Sequence, residues 1–490
     1  MSIVFAPIKC RYLALSYVWG TRKTGRLVLT SHNEEALMKP AALTENRASI
    51  PNTIWDAITV VRKLGENYLW VDSLCLVQDD PIEIEQCVAI MDLFYEMATL
   101  TIVAADGDDA WAGLGGVEPT PRQTNRLVRE IVPGLHMTTT TDMGALLSRS
   151  TYGARGWTMQ EQVISRRLLV FVGGQIYFKC DTSHFREDLN WAGKPLHDSH
   201  LPIADMISMI FTTPDRGFND FTDILLYYML RKLSFQNDIL RAAQGMLRKI
   251  SLHTGMHFFE GLPPPLEQEY RSKGRRVGFP SYSWTGWLTP VQYNNFVCAW
   301  DEVSSDRDFE ENPEPNSDVR GWIIWHCKLE DGDVVRISNT GRFRKSLMLQ
   351  PEDTLRNART KYQEFPVATS GVGFSKVPPT SYPLLLFWTI CIELRLERAL
   401  PAPGDPLGLA YYSAMDKFGE SCGRFTMDPT TPENGDGEFA LLAATNDSLW
   451  ALMLVWKDGI AERRGAVELS NSVLDGCLPP GPMWKAIVLG

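Results

Sequence analysis

Residues 12–18 (Tyr-Leu-Ala-Leu-Ser-Tyr-Val) form a near-continuous apolar run that stops at Trp19-Gly20, the pattern of a strand covered on both faces. Pro51-Asn52-Thr53 then opens an amphipathic stretch. Ile54, Ala57, Ile58, Val61 and Leu64 recur at helical spacing, Thr53 is placed to cap the start, and Gly65 is placed to stop the helix. A second strand is predicted from Tyr68-Leu69-Trp70-Val71 on through Leu74-Cys75-Leu76-Val77. Gln78-Asp79-Asp80-Pro81 ends it and begins a helix with proline in its first turn, followed by apolar Ile84, Val88, Met91 and Tyr95. A third strand covers 100–105. Strand, helix, strand, helix, strand at this spacing predicts a parallel, doubly wound α/β sheet.

The pattern breaks over about 106–150, where Gly, Thr and Pro are frequent, and this reads as an insertion or lid. Residues 156–165 predict a short helix. Residues 168–172, Gly173-Gly174 and 175–180 predict a hairpin. Helical spacing dominates 205–211, 221–233 and 238–253. An acidic, proline-containing loop falls at 303–318, and short β-like runs (322–329, 384–394, 439–444, 449–456, 483–489) follow. The expected organisation is an α/β domain over 1–180, a mainly helical middle over 181–300 and a β-rich region over 301–490.

Composition narrows the class. The chain has 490 residues, 44% hydrophobic and 22% charged, which is a globular balance. A net charge of −11 argues against non-specific nucleic-acid binding, and the cluster Arg271 to Arg276 is too short to reverse that. Nine scattered Cys without a C-x-x-C pair fit reduced thiols, and no secretory signal opens the chain, so the expected location is cytoplasmic. The longest apolar run, 384–392, is short of the ~20 residues a membrane span needs. Fifteen Trp predict aromatic-rich cores or a ligand cleft.

Candidate chemistry follows from sheet geometry, because ligands in open parallel sheets bind beyond the carboxyl ends of the strands. That rim would carry Ser16, Tyr17, Trp19 and Gly20 from the first strand, and Asp72, Gln78 and Asp79 from the second. Asp72 sits in an apolar run, so it either accepts hydrogen bonds from a loop or meets a cation such as Arg155. Arg155-Gly-Trp-Thr-Met-Gln-Glu161 supplies a third cluster. Arg155 could meet a phosphate, Trp157 could stack on a ring, Gln160 could bind, and Glu161 could meet a ribose hydroxyl or act as a base. The same residues also fit a capped helix with Trp157 in the core and Arg155 and Glu161 in ion pairs. His253/His257 and His197/His200 lack a metal-site pattern, and no metal is expected. No G-x-S-x-G, P-loop or C-x-x-C motif supports a serine hydrolase, a P-loop NTPase or a zinc ribbon.

Three of these segments resemble the signatures of the fungal HET (heterokaryon incompatibility) domain: Tyr12-Leu-Ala-Leu-Ser-Tyr-Val-Trp-Gly20, Trp70-Val-Asp-Ser-Leu-Cys-Leu-Val-Gln-Asp-Asp80, and Arg155 to Glu161 with Ser165-Arg-Arg167. Leu233 to Leu240, Gly261-Leu-Pro263, Phe279 to Trp287 and Trp484 to Gly490 resemble the tail many such proteins carry. The resemblance implies a flavodoxin-like, TIR-like fold and a role in non-self recognition and regulated cell death. It further implies NAD as a possible substrate, with a glutamate as the catalytic group. Family members often carry an acid at the position of Cys87, so the resemblance offers Glu85, beside Glu161 and Asp72, as a catalytic candidate. The alternative is a non-catalytic module that signals through protein partners or self-association.

Overall fold

The computed structural model describes residues 1–7, 9–22, 25–122, 128–138, 143–180, 183–187, 217–254, 258, 260, 269–270, 275–276, 278–287, 291–292, 320–321, 326–328, 334–336, 380–400, 410–427, 435–444 and 448–490. The chain divides into two compact units, residues 1–213 with 231–249, and residues 214–230 with 250–490. The helix expected at 205–211, the loop at 303–318, His197, His200, His257 and residues 261–263 lie outside the described residues.

The first unit is built on a mixed sheet. Its strands are β1 (Leu13–Tyr17), β2 (Leu69–Trp70), β3 (Leu100–Ala104), β6 (Arg167–Val172), β7 (Gln175–Cys180) and β8 (Ser183–Arg186), in the order β2-β1-β3-β6-β7-β8; a separate hairpin pairs β4 (Val128–Val132) with β5 (Leu135–Thr138). β2, β1, β3 and β6 are parallel, and β7 and β8 extend the sheet antiparallel. The first crossover uses helix α1 (Asn52–Lys63). The second uses a helical turn α2 (Asp72–Cys75), then α3 (Pro81–Ala89) and α4 (Met91–Glu96); α5 (Met143–Arg149) and α6 (Gly156–Ile164) lie between β3 and β6.

Alternation along β1 separates two cores. Leu13, Leu15 and Tyr17 pack with Ile54, Ala57 and Val61 of α1, whereas Ala14 packs with Trp70, Leu76, Tyr95 and Ala98. The two crossovers that flank β1 therefore cover opposite faces. Strand order reverses at β1/β3, which makes the carboxyl ends of these two strands the topological switch point.

Several expectations are met in detail. Gly65 ends α1 with φ +74°. Asp80 caps α3, accepting from the N–H groups of Ile82 and Glu83, with Pro81 in the first turn. Gly173 and Gly174, with φ +61° and +67°, join β6 to β7 as a two-residue turn in which both residues need positive φ.

Two expectations are corrected. The second strand ends at Trp70, and Asp72–Cys75 coils into a helical turn that Gln78 closes by donating to the Asp72 and Leu76 carbonyls. A short apolar run cannot by its period distinguish a strand from a buried turn of helix. Thr53 is not the cap of α1, since the helix begins at Asn52 after Pro51 without a side-chain cap. Thr53 instead accepts from the Gly113 N–H at 3.1 Å, while Asp56 accepts from the Leu114 N–H and from Thr120, so α1 pins the loop after β3.

The second unit contains helix α7 (Gly217–Met229) and a large, mostly antiparallel sheet; the 14-residue helix α8 (Arg241–Thr254) begins in the first unit. The longest strand, Leu384–Ala399, pairs with Met483–Leu489 and Gly435–Ala444. Its side chains alternate: Ile390, Ile392, Leu394 and Leu396 enter one core, Leu385, Phe387 and Cys391 another. The segment around Ser281 is structural. Ser281 binds the Gly490 carbonyl through both its N–H and its hydroxyl and accepts the Arg463 N–H, and its carbonyl accepts the Trp287 indole N–H. No helix among the described residues is long and apolar enough to cross a membrane.

Candidate functional site

Ser16 is the polar interruption in an otherwise apolar β1. It is fully buried on the face opposite α1, and its hydroxyl donates to the Glu161 carboxylate on α6. Its Oγ also lies 2.5 Å from the Tyr152 hydroxyl. Serine has one proton to give, so with Glu161 ionised Tyr152 must be the donor to Ser16. Tyr152 is fully buried and lies in the turn that leads into α6. A loop, a strand and a helix thus converge on one carboxylate.

The second carboxylate belongs to Asp72. Its Oδ2 accepts from the Trp19 indole at 2.8 Å and its Oδ1 accepts from the Ser73 N–H at 2.6 Å. Tyr17 and Ser73, both buried, share a 2.8 Å hydrogen bond beneath it. The Arg26 guanidinium stacks on the Trp19 ring at 4.3 Å from its centroid and donates to the Trp19 carbonyl. Gly20 follows with φ +76°, and a β-carbon there would fall 2.3 Å from Cβ of Asp109, so the loops after β1 and β3 touch only because residue 20 is glycine.

Electrostatics single out Glu161. Burial raises its carboxyl to about 7, and the nearby charge of Asp72 adds to the rise; the bonds from Ser16 and Tyr95 and the charge of Arg155 oppose it. Asp72 is raised too, by burial, against the hydrogen bonds of Trp19, Ser73 and Tyr17 and the charge of Arg155. Arg155, half-buried at the entrance to α6, lowers both acids, and its Nε is buried without a hydrogen-bond partner among the described residues. A glutamate that changes charge near neutral pH suits proton transfer.

The structure gathers Ser16, Trp19, Asp72, Arg155 and Glu161 in one cluster, with Gly20 next to Trp19 and Gln78 bonded to the Asp72 carbonyl, and gives the remaining candidates other partners. Glu85 is exposed on α3 and forms a two-pronged ion pair with Arg241, at 2.6 and 2.9 Å. Cys87 packs against the Trp70/Tyr95 core, where burial and Glu83 push its thiol up. Asp79 is exposed and accepts from the N–H and hydroxyl of Ser31, which lower it. Gln160 accepts the Gly245 N–H. Trp157 is half-buried in the first turn of α6. Among the described residues no group of three or more His, Cys, Asp or Glu has the arrangement to hold a metal ion. Sequence reasoning missed Tyr152, Tyr95 and Ser73; the signal available for the tyrosines was that a buried hydroxyl needs a partner.

The first unit is accordingly a doubly wound α/β module with paired carboxylates near its switch point. Residues 12–161 match the family model described as Heterokaryon incompatibility protein (HET), and the chain carries a HET domain over those residues. The match begins at the residue before β1 and ends on Glu161 itself. Neither the curated proteins nor the solved structures gave a match.

Proposed function

We propose that this heterokaryon-incompatibility-type protein is a signalling effector whose HET module binds and hydrolyses a nucleotide such as NAD, the output being regulated cell death after non-self recognition. The observation that carries the reading is the Glu161 carboxyl, raised to about 7 and held by Ser16 beside Asp72, Trp19 and Arg155. Glu161 in its ionised form accepts a proton from the attacking water. Water adds to the ribose carbon, nicotinamide leaves with the bonding pair, and ADP-ribose and a proton are the other products. Trp19 and Trp157 offer rings for stacking, and Arg155 offers a cation for phosphate.

The test is release of nicotinamide from NAD by the purified chain at high concentration. Wild type and Glu85→Gln should turn over, and Glu161→Gln should lose about 100-fold or more, the scale of a lost general base. Absence of both turnover and binding in every form would remove the enzymatic reading.

One observation favours a second reading. Both Asp72 oxygens and the Gln160 carbonyl are already bonded within the domain. In that case the motifs are structural and the module signals through protein partners or self-association. A wild-type chain that neither binds nor cleaves NAD yet associates in solution would select it.

A further inference from the structure

Helix α6, which presents Glu161, is gripped along its length by a segment downstream of the matched residues. Residues Arg231–Lys249 belong to the same compact unit as β1 and α6. At the start of α6, Arg231 donates to the Arg155 carbonyl and to the Thr158 hydroxyl, both at 3.2 Å. Lys232 gives its N–H to the Ala154 carbonyl at 2.7 Å and accepts the Gly156 N–H at 2.8 Å. Gly156 N–H is one of the groups a helix start leaves unmatched, so this bond serves as a cap. In the middle, the Gly245 N–H donates to Gln160 Oε1 at 2.8 Å. At the end, Lys249 donates to the Val163 carbonyl at 3.2 Å.

The grip is close-packed. A β-carbon on Gly245 would lie 2.2 Å from Cβ of Asp92 and 2.7 Å from Cδ1 of Ile164, so the α8 backbone rests directly on α4 and α6. Arg248 anchors it further through Asp92 at 2.6 Å and Glu96 at 3.0 Å. Two of these contacts reach the carboxylate cluster. Gln160 is the chain neighbour of Glu161. The Tyr152 hydroxyl is raised by burial and by Glu161, and the Arg231 charge acts against that rise, so Arg231 lies within electrostatic range of the Tyr152–Ser16–Glu161 chain.

We propose that Arg231 and Gln160 are positioning residues: through them the 231–249 segment fixes the rotation and depth of α6 so that Glu161 meets Ser16, and the working HET module extends beyond residues 12–161. The proposal rests on the reading of Glu161 as the working carboxyl. Packed interiors respond to small displacements, and a buried carboxylate that loses its alignment with Ser16 loses the bond that favours its ionised form.

The test uses the full chain. The Glu161 carboxyl is titrated by carbon-13 NMR, assigned through Glu161→Gln, in wild type, Gln160→Met, Arg231→Met and Arg241→Met. The first two variants should raise the midpoint by about one pH unit, a tenfold change in acid constant, and slow nicotinamide release by a similar factor. Arg241→Met breaks a contact of the same segment that touches α3 rather than α6, and should leave the midpoint in place. Folded Gln160→Met and Arg231→Met chains with the wild-type midpoint would overturn the proposal. If either methionine variant does not fold, Arg231→Lys, which keeps the charge but loses the two-point reach, carries the same expectation and the same refutation. A wild type that releases no nicotinamide removes the enzymatic reading alone, because the titration still decides the positioning.

Discussion

Ser16 donates its hydroxyl to the carboxylate of Glu161, joining a central strand to a helix 145 residues away in sequence. This bond opposes the rise that burial forces on Glu161. Ser16→Ala should therefore move the Glu161 midpoint upward from about 7, and leave Tyr152 without the acceptor it now uses. Carboxyl titration by NMR checks the direction; a downward shift would mean that Ser16 does not hold the ionised form.

The raised acidity has a consequence for stability. Glu161 binds its proton more tightly when folded, so its contribution to stability is complete below the unfolded value of about 4.5 and is lost as pH rises through about 7. Glu161→Gln keeps the size and removes the titration. It should be more stable than wild type at pH 8, by on the order of 2 kcal/mol after allowance for the partial exposure of the site. The two proteins should converge near pH 4.5. Urea unfolding at the two pH values measures the difference, and equal gaps at both would count against the assignment.

Trp19→Phe keeps a ring for Arg26 to stack on and removes the indole donor to Asp72 Oδ2. The buried carboxylate then loses a donor, at a cost of about 1–3 kcal/mol. Asp72, already raised by burial, should rise further. Denaturation midpoints of the variant at neutral pH test this; an unchanged midpoint would show that water replaces the indole freely.

Gly20→Ala places a methyl 2.3 Å from Cβ of Asp109 on backbone at φ +76°. The left-handed conformation costs about 1–2 kcal/mol and the overlap adds a further 1–3 kcal/mol or so. A loss of about 2–5 kcal/mol in urea unfolding is expected; a loss below about 0.5 kcal/mol, the level of an ordinary surface change, would contradict the packing of these two loops.

Much of the framework was legible in the sequence because β1, β3 and β6 are buried on both faces and read as apolar runs, and because Gly65, Asp80 and the Gly173-Gly174 pair carry local backbone requirements. The end of β2 was not legible, since Leu74, Leu76 and Val77 are buried whether the chain is extended or coiled. For the site, polarity inside apolar runs exposed Ser16 and Asp72, and the rule about strand ends assigned them to one rim. Tyr152 escaped because it lies in a Ser/Thr/Gly-rich turn with no periodicity. The role of Gln160 escaped because its partner, Gly245, is a backbone N–H 85 residues on. Glu85 and Glu161 are equivalent as letters; burial separates them, and burial comes only from the fold.

The most direct measurement is the pH dependence of nicotinamide release from NAD between pH 5 and pH 9. The account predicts a rate that rises with pH through a midpoint near 7, the value set for Glu161 by burial and by Asp72, and that this limb disappears in Glu161→Gln. A wild-type rate that is flat across the range, or a limb that persists in Glu161→Gln, would contradict it.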